Sequence, residues 1–268
     1  MAPKVSILIP TYRRPEALAE CLGAIAAQDY RDFECIVVND GGPPVDAALA
    51  KHPQLPVRLV NLPQNAGHAA ARNEGLRLAR GELIALCDDD DLWLPGHLGS
   101  LVAAAEAGAD LAYTDAELVV LRWTPRGRVP LRRELFAFAF DFDPQLLRRW
   151  NTIVPSSALY RRALHDELGL FDVTVRDYWD WDWWLRAAPG RRVRRIPEAS
   201  VLVAVDEAGA NASADPARMA PFLERLVRKH DLGPLPVSNF LRMLSEPELR
   251  PALRPSARPW DGVRLPGG

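Results

Sequence analysis

Lysine, cysteine and long apolar runs are all scarce in this 268-residue sequence. Only three of its 33 basic residues are lysine, and against 35 acidic residues they leave a net charge of −2. A chain with nearly equal numbers of acidic and basic residues has no overall positive potential, which argues against nucleic acid as its main partner. Cys21, Cys35 and Cys87 share no C-x-x-C spacing and each lies in an apolar run. We expect buried, reduced thiols, which favours a cytoplasmic protein.

Several familiar signatures are also missing. No stretch approaches 18 uninterrupted apolar residues, so no transmembrane helix is expected, and residues 1–4 lead into an apolar run without the features of a signal peptide. The sequence has no G-x-G-x-x-G after its first predicted strand and no G-x-x-x-x-G-K-[ST], which disfavours a dinucleotide Rossmann site and a P-loop. The spacing of His68, His97, His165 and His230 does not support a zinc site.

The first 114 residues alternate between two apolar patterns. Short continuous runs predict buried strands at 5–9, 33–38, 57–60, 82–87 and 110–114. Three- and four-residue spacing predicts helices at 17–25, 67–79 and 95–107. This alternation is typical of an α/β fold with a mostly parallel sheet flanked by helices. Ligands of such sheets bind at the carboxyl edge, where the loops 11–14, 39–42, 61–67 and 88–91 are expected to meet.

After residue 115 the rhythm breaks, and 116–150 shows no clean period. Further patterns predict strands at 156–160 and 201–205 and helices at 161–168, near 180–188, and at 221–229. We expect 206–216 to be a mobile loop. The last 30 or so residues are rich in proline and arginine and are predicted to be irregular.

Four consecutive aspartates, Asp88, Asp89, Asp90 and Asp91, follow the fourth predicted strand. Two unit charges about 4 Å apart repel by roughly 4 kcal/mol at an effective dielectric of about 20, so such a run needs a cation or strong solvation. Alternation along an extended segment allows Asp88 and Asp90 to point the same way. Hard oxygen ligands suit Mg²⁺ or Mn²⁺, which bridge to substrate phosphates. A solvated turn that caps the next helix is the alternative.

Other polar groups follow the neighbouring strands. Tyr12 can stack on a base, and Asp40, before two glycines, can accept hydrogen bonds from a base or ribose. Asn65 and Gly67 precede a helix start, and Arg72 in its second turn suits a phosphate. A packed aromatic ring, an ordinary turn aspartate and a surface arginine are the alternatives.

Residues 178–186 contain four of the eight tryptophans. On a helix, Trp181 and Trp184 share an apolar face that core packing explains. Asp180 and Asp182 cannot share that face. We predict that Asp180 reaches a cleft as a general base, with a helix N-cap as the alternative, and that Asp182 is the structural partner of an arginine.

These motifs, in this order, resemble the family 2 glycosyltransferases of the GT-A fold over roughly residues 4–215. The matching segments are 5–12 (VSILIPTY), 39–42 (NDGG), 65–73 (NAGHAAARN), 88–95 (DDDDLWLP), 155–157 (PSS), 169–172 (GLFD) and 180–182 (DWD). The resemblance implies a GT-A type, Rossmann-like sheet with a smaller mixed acceptor-side region. It also implies transfer of a sugar from a nucleoside-diphosphate sugar, expected to be UDP-linked, with inversion at the anomeric carbon.

By resemblance, each candidate residue takes a role. The nucleotide-binding residues are Pro10, Thr11, Tyr12, Arg14, Asp40, Asn65, Gly67, Arg72, Asp88 and Asp89. Asp90 and Asp88 hold Mn²⁺ or Mg²⁺, which stabilises the leaving diphosphate as a Lewis acid. Asp180 deprotonates the acceptor hydroxyl, which belongs to a glycan, a lipid-linked sugar or a small molecule.

The same resemblance divides the chain. Residues 1–115 form the nucleotide-sugar-binding half, 116–235 the acceptor-binding and catalytic half of the same domain, and 236–268 an irregular tail. A cytoplasmic protein, peripheral to the inner membrane face, is expected.

The sequence departs from the family at two points. Trp179 stands where the family often has glutamate. In the loop after Val205, where the family often has histidine near an Asn-Ala-Ser sequence, Asp206 and Glu207 precede that sequence at 211–213 instead. The identity of a third metal ligand is therefore open. Without a Q-x-x-R-W motif, a single-addition enzyme is favoured over a processive synthase. The alternatives are a sugar nucleotidyltransferase, which normally has a glycine-rich basic loop where Pro10 and Thr11 stand, and a non-catalytic nucleotide- or glycan-binding module.

Overall fold

The computed structural model describes residues 2–124, 127–131, 136–206 and 215–266. Its strands are β1 (Val5–Thr11), β2 (Phe33–Asn39), β3 (Val57–Asn61), β4 (Leu83–Leu86), β5 (Leu92–Trp93), β6 (Leu111–Thr124), β7 (Gly127–Pro130), β8 (Phe136–Phe138), β9 (Ala158–Arg161) and β10 (Val193–Asp206). Its helices are α1 (Pro15–Ala26), α2 (Asp46–Leu49), α3 (His68–Leu78), α4 (His97–Glu106), α5 (Pro144–Leu147), α6 (Leu164–Leu168), α7 (Trp179–Ala187), α8 (Pro216–His230) and α9 (Phe240–Met243). Short 3₁₀ turns occur at Pro155–Ser157, Arg176–Tyr178 and Arg250–Ala252.

The strands form one sheet of order β3-β2-β1-β4-β9-β6-β10-β5, with β7 and β8 paired to β6 off this path. β1 to β4 are mutually parallel, and β6 is parallel to β10. β9 lies between β4 and β6 and is antiparallel to both. The predicted α/β fold with a mostly parallel sheet flanked by helices is confirmed. The part containing β5 to β10 is mixed.

Helices cover both faces of the sheet, which explains why the central strands are continuous apolar runs. All seven residues of β1 and all seven of β2 are buried. Because side chains alternate along a strand, Ile7 packs with Leu18 of α1 and Leu98 of α4, whereas Leu8 belongs to the core that includes α3 and α7. The two faces therefore carry separate hydrophobic cores.

The order of the strands creates a crevice at one edge. From β1 the chain builds outward through β2 and β3, then returns to place β4 on the other side of β1. The loops that follow β1 and β4 diverge at this reversal, where ligands of open α/β sheets bind. The loop at 11–14 and the aspartates at 88–91 lie there.

Two strands are longer than the sequence predicts, because charged residues interrupt their apolar patterns. β6 continues from the predicted 110–114 to Thr124, and β10 begins at Val193 rather than 201. Asp115 accepts two hydrogen bonds of 2.7 Å from Arg195, and Glu117 accepts one of 2.9 Å from Arg258. Once paired, these carboxylates tolerate burial, whereas in the sequence they resemble the end of a strand.

Other boundaries differ by a few residues. The strand predicted at 156–160 starts as a 3₁₀ turn before β9, the helix predicted at 161–168 begins at Leu164, and the one predicted at 221–229 begins at Pro216. In that last helix, Asp215 caps the N-terminus by accepting from two backbone amides. Most of the predicted loop at 206–216, including 211–213, lies outside the described residues.

The C-terminal segment is largely irregular, as predicted, yet it packs on the domain. The Phe240 ring lies 5.0 Å from that of Phe138 in an edge-to-face contact, and Met243 and Trp260 are buried. The division into 1–115, 116–235 and 236–268 stays a prediction, and β6 runs continuously through its first boundary.

The state of the cysteines and the character of the helices were both expected from the sequence. Cys21, Cys35 and Cys87 are buried and free within the described chain, so the prediction of buried, reduced thiols is confirmed. In the same ranges, no helix combines the length and the apolar character needed to span a bilayer.

Candidate active site

A cavity of about 550 Å³ opens at the carboxyl edge of β1 and β4. Ten of the twelve predicted site residues line it: Pro10, Thr11, Tyr12, Arg14, Asp40, Arg72, Asp88, Asp89, Asp90 and Asp180. Asn65 and Gly67 are not among the described lining residues. The fold therefore gathers residues from five separate segments of the chain at one place.

The aspartate run alternates between buried and open carboxylates. Asp89 accepts a 2.7 Å hydrogen bond from the Thr11 hydroxyl, and Asp91 accepts one of 3.1 Å from the Ala204 amide. Both are buried, whereas the side chains of Asp88 and Asp90 are 36% and 22% exposed. Burial raises the pKa of Asp89 to about 7. Two of the four carboxylates are therefore withdrawn from solvent, which argues against a fully solvated turn.

Two arginines face the open carboxylates. Arg72 forms an ion pair with Asp88, and Arg14 pairs with Asp90 and also reaches Asp89 at 3.2 Å. Burial and the charge of Asp88 raise the pKa of Asp90, while Arg14 opposes the rise. Each open carboxylate thus has an arginine partner, while burial raises the pKa of both Asp89 and Asp91.

Asp88 and Asp90 fit a divalent ion that is shared with a ligand. Mg²⁺ and similar ions bind through one or two carboxylates, waters and substrate phosphates, and these two side chains offer such oxygens to the cavity. Over the described ranges, no group of three His, Cys, Asp or Glu side chains could hold a metal by itself. The segment from Asp206 onward, where a third ligand was left open, lies where side chains are not described. The donor set suits a metal held jointly with a diphosphate.

Arg72 is fixed by an aromatic ring rather than by a second carboxylate. This residue of α3 is 1% exposed, and its guanidinium carbon lies 4.0 Å from the centroid of the Trp179 ring. Its Nε is buried with no hydrogen-bond partner in the described part of the chain. Trp179, where the family often has glutamate, thus holds Arg72 by a cation–π contact and adds no negative charge.

Asp40 is held by the loop that precedes α3. Its carboxylate accepts hydrogen bonds from the amides of Ala66 (2.7 Å) and Gly67 (2.9 Å) and from Asn65 Nδ2 (2.9 Å). The geometry therefore places Asn65 and Gly67 behind Asp40 rather than on the cavity. Their predicted contact with a nucleotide stays a prediction. Gly41 permits the approach of the two loops: its φ is +71°, and a Cβ would lie 2.3 Å from backbone carbon of the neighbouring loop.

Asp180 lies in the first turn of α7 and faces the cavity. It is 5% exposed, and its Oδ2 accepts a 2.7 Å hydrogen bond from Asn151 Nδ2. Burial raises its pKa to about 6, with a smaller contribution from the charge of Asp88. A carboxylate of this kind is ionised at neutral pH and remains more basic than an exposed aspartate, which suits a general base.

Asp182, two residues further along α7, points away from the cavity. It is fully buried and pairs with Arg186 at 2.8 Å, Lys229 at 2.6 Å and His230 at 2.8 Å. Burial opposes its ionisation, but the hydrogen bonds from His230 and Lys229 outweigh burial and lower its pKa. The predicted structural pairing with an arginine is confirmed.

Two further residues of the site carry no signal in the sequence. Asn151 holds Asp180, and Arg128 of β7 donates to the backbone carbonyl of Asp90 and pairs with Glu20. Arg128 also keeps Nη2 buried without a hydrogen-bond partner among the described residues. Both lie in or beside 116–150, where no periodicity indicated an element, and no sequence motif singles them out.

The comparisons agree with this architecture. The family model described as "Glycosyl transferase family 2" matches residues 6–169. Uncharacterized glycosyltransferase YwdF of Bacillus subtilis (strain 168) is 46% identical over 260 residues, which cover 97% of this chain and 96% of that protein.

Two solved structures share the fold. S. aureus TarS 1–349 in complex with UDP-GlcNAc has a TM-score of 0.62 and 20% identity, covering 84% of this chain and 66% of that one. The mannosyltransferase PcManGT from Pyrobaculum calidifontis, in complex with GDP-Man and Mn²⁺, has a TM-score of 0.61 and 21% identity, covering 94% and 68%. This chain thus spans about two thirds of those two chains. From the family match and the relative of similar length, we conclude that the chain belongs to glycosyltransferase family 2 and is a transferase.

Proposed function

We propose that this glycosyltransferase moves a sugar from a UDP-linked donor to a hydroxyl acceptor with inversion. The observation that carries the proposal is that the carboxylate of Asp180 faces the same cavity as Asp88 and Asp90, at the strand-order reversal. One group can then deprotonate an acceptor while the others hold a leaving diphosphate. The nucleotide-sugars named for the TarS and PcManGT structures support a donor of this class.

The donor side of the cavity offers a ring, two cations and two carboxylates. Tyr12, which is 37% exposed, presents a face on which a base can stack, next to Asp40. Arg14 and Arg72 supply positive charge for the diphosphate. Asp88 and Asp90 would hold Mn²⁺ or Mg²⁺, which supplies Lewis-acid stabilisation of the diphosphate.

On the acceptor side, Asp180 takes the proton of the attacking hydroxyl. The acceptor oxygen bonds to the anomeric carbon as the bond from that carbon to the diphosphate breaks, so the centre inverts in one displacement. Asn151 fixes the carboxylate through a hydrogen bond to Oδ2. The pKa of about 6 keeps Asp180 ionised near neutral pH.

The alternatives have less support. A sugar nucleotidyltransferase is inconsistent with the family match, and a non-catalytic module would not need a desolvated carboxylate directed into the cavity. We further propose single additions and a cytoplasmic location, peripheral to the inner membrane face. Reduced Cys21 and Cys87, whose sulfurs are 3.5 Å apart, support a reducing compartment.

A thermal-shift panel tests the donor site. UDP, GDP and other nucleoside diphosphates are added with Mn²⁺, with Mg²⁺ or with EDTA. We expect UDP with Mn²⁺ to raise the melting temperature most, since a ligand at 100 times its Kd stabilises the native state by about 2.7 kcal/mol. Asp90→Ala should remove the metal-dependent part of the shift. No shift with any nucleoside diphosphate would rule out the donor site.

A further inference from the structure

Part of the cavity lining is nonpolar. We call it the apolar wall, and its residues are Leu118, Trp150, Val154, Pro155, Val203, Val205, Pro236, Phe240, Leu241 and Met243. They come from β6, the segment before β9, β10 and the chain around α9. The ionisable side chains described on the cavity lining all come from 10–91 and 177–180 instead. The charged and uncharged lining residues therefore come from different segments, and the two sets adjoin at β10, where the amide of Ala204, between Val203 and Val205, donates to Asp91.

Most polar side chains beside the apolar wall already have partners, and the Ser238 hydroxyl, which lines the cavity among them, donates to the carbonyl of Asn239 at 3.4 Å. Trp150 Nε1 donates to Glu248 at 2.8 Å, and Asn151 Nδ2 donates to Asp180 at 2.7 Å. Asn239 Oδ1 accepts from the backbone amide that it caps in α9. A molecule with many hydroxyl groups would lose hydrogen bonds to water here and regain few of them.

Two atoms, one on Asn151 and one on Tyr178, both lining residues, are exceptions. Asn151 Oδ1 and the Tyr178 hydroxyl are both buried and, within the described residues, have no hydrogen-bond partner. They can pair with one or two polar groups next to a reacting hydroxyl. Polar recognition thus falls to a few atoms, which include the Oδ2 of Asp177 on the same lining, also without a partner within the described residues, and the wall residues themselves offer mainly nonpolar contact.

The aromatic rings of the wall are poorly placed to stack on a sugar. Trp150 is 5% exposed, so its faces are covered, and the ring of Phe240 packs against that of Phe138 at 5.0 Å. A pyranose needs an open aromatic face, whereas an alkyl or aryl group needs only a nonpolar surface. This difference favours a nonpolar ligand over a sugar on the wall.

From this arrangement we propose that the acceptor is an alcohol or phenol carried on an apolar group, with the reacting hydroxyl at Asp180 and the nonpolar part on the apolar wall. The inference rests on the proposed function and names the substrate class of the same site. A lipid chain and an aromatic aglycone share this chemistry.

Glycosides with identical hydroxyls and different aglycones provide the test. The methyl, hexyl and phenyl glycosides of one sugar are compared as acceptors, with the donor identified by the thermal-shift panel and Mn²⁺ present. Each methylene buried is worth about a fourfold gain in affinity, so kcat/KM should rise tenfold or more from methyl to hexyl or phenyl. A preference for hexyl indicates a lipid source, and a preference for phenyl indicates an aromatic one.

Two surface variants test whether the rise in kcat/KM depends on the apolar wall. Leu241 is 36% exposed, so Leu241→Ser should fold normally and lose most of the preference for the apolar aglycone. Val173→Ser is the matched control, because Val173 is 51% exposed and is not among the cavity-lining residues described. This variant should keep the preference of the unmodified protein.

The outcomes separate the two proposals. If UDP and Mn²⁺ raise the melting temperature and all three glycosides react equally, the acceptor class is wrong and the donor site stands. If no glycoside reacts, binding of the hexyl and methyl glycosides is measured by tryptophan fluorescence with UDP and Mn²⁺ present. Equal affinity for both, or a hexyl preference retained by Leu241→Ser, would overturn the inference.

Discussion

Replacing Asp180 by asparagine should abolish transfer and stabilise the fold. Burial raises the pKa of Asp180 from 3.8 to about 6, so ionisation of this carboxylate weakens the folded state. The stabilising effect of the protonated form is complete below about pH 4 and is lost as the pH rises through 6. A shift of about two units at about 1.36 kcal/mol each gives at most about 3 kcal/mol. Asp180→Asn has no such cost, and its side-chain oxygen can still accept from Asn151.

Urea unfolding at pH 3.5 and pH 8, without ligand, measures the effect. We expect the two proteins to have similar free energies of unfolding at the lower pH. At pH 8 the variant should be more stable by about 1–3 kcal/mol. UDP binding in the presence of Mn²⁺ should stay nearly intact while product formation disappears.

Asp182→Asn is the matched control, because the two residues lie on the same helix and their pKa values shift in opposite directions. The ionised form of Asp182 is stabilised by Lys229, His230 and Arg186, so its loss should destabilise the fold by about 3 kcal/mol at pH 8. If Asp180→Asn were also less stable than the unmodified protein at pH 8, Asp180 would not be a desolvated carboxylate. Turnover retained by that variant would remove Asp180 from the role of base.

Three further results are expected. The log of kcat/KM plotted against pH should fall on the acid side with an apparent pKa of about 6, because Asp180 must be ionised to accept a proton; an acid limb near pH 4 would contradict this. Trp179→Leu should raise the KM for the donor about 5- to 30-fold by removing a cation–π contact of about 1–2 kcal/mol from Arg72, whereas Trp179→Phe should retain most of the affinity. Gly41→Ala should lower the free energy of unfolding in urea by about 1–3 kcal/mol, because φ is +71° and the new Cβ would contact backbone. Gly96→Ala is the control and should be close to neutral, because its Cβ meets nothing within 4 Å in the described chain. Equal effects of the two substitutions would refute the argument.

The donor half of the fold was predictable because its signals are local. Apolar runs between turn residues define β1 to β4, and parallel strands bring the loops that follow them to one edge. That rule alone places Thr11 and Asp88 together. Alternation along an extended segment separated Asp88 and Asp90 from the buried Asp89 and Asp91.

The acceptor half was less predictable because long-range pairs hide its pattern. The carboxylates of β6 are satisfied by Arg195 and Arg258, which lie 80 and 141 residues away in the sequence, so nothing local marks Asp115 and Glu117 as strand residues. The pairing of Asn151 with Asp180 and the position of Arg128 beside Asp90 likewise depend on tertiary structure. Residues 236–243 line the cavity because the chain crosses the domain to reach it, and no periodicity in the sequence indicates this path.

The packing of the C-terminal segment has a consequence for anyone who shortens this enzyme. Arg258 supplies a guanidinium to the fully buried Glu117, and Phe240 and Met243 are shared between the cavity and the core. Truncation at residue 169, where the family match stops, or at 235, would leave Glu117 without this partner inside the sheet, a loss of about 3–5 kcal/mol. The smallest version that keeps both its stability and its substrate preference should therefore extend beyond Trp260.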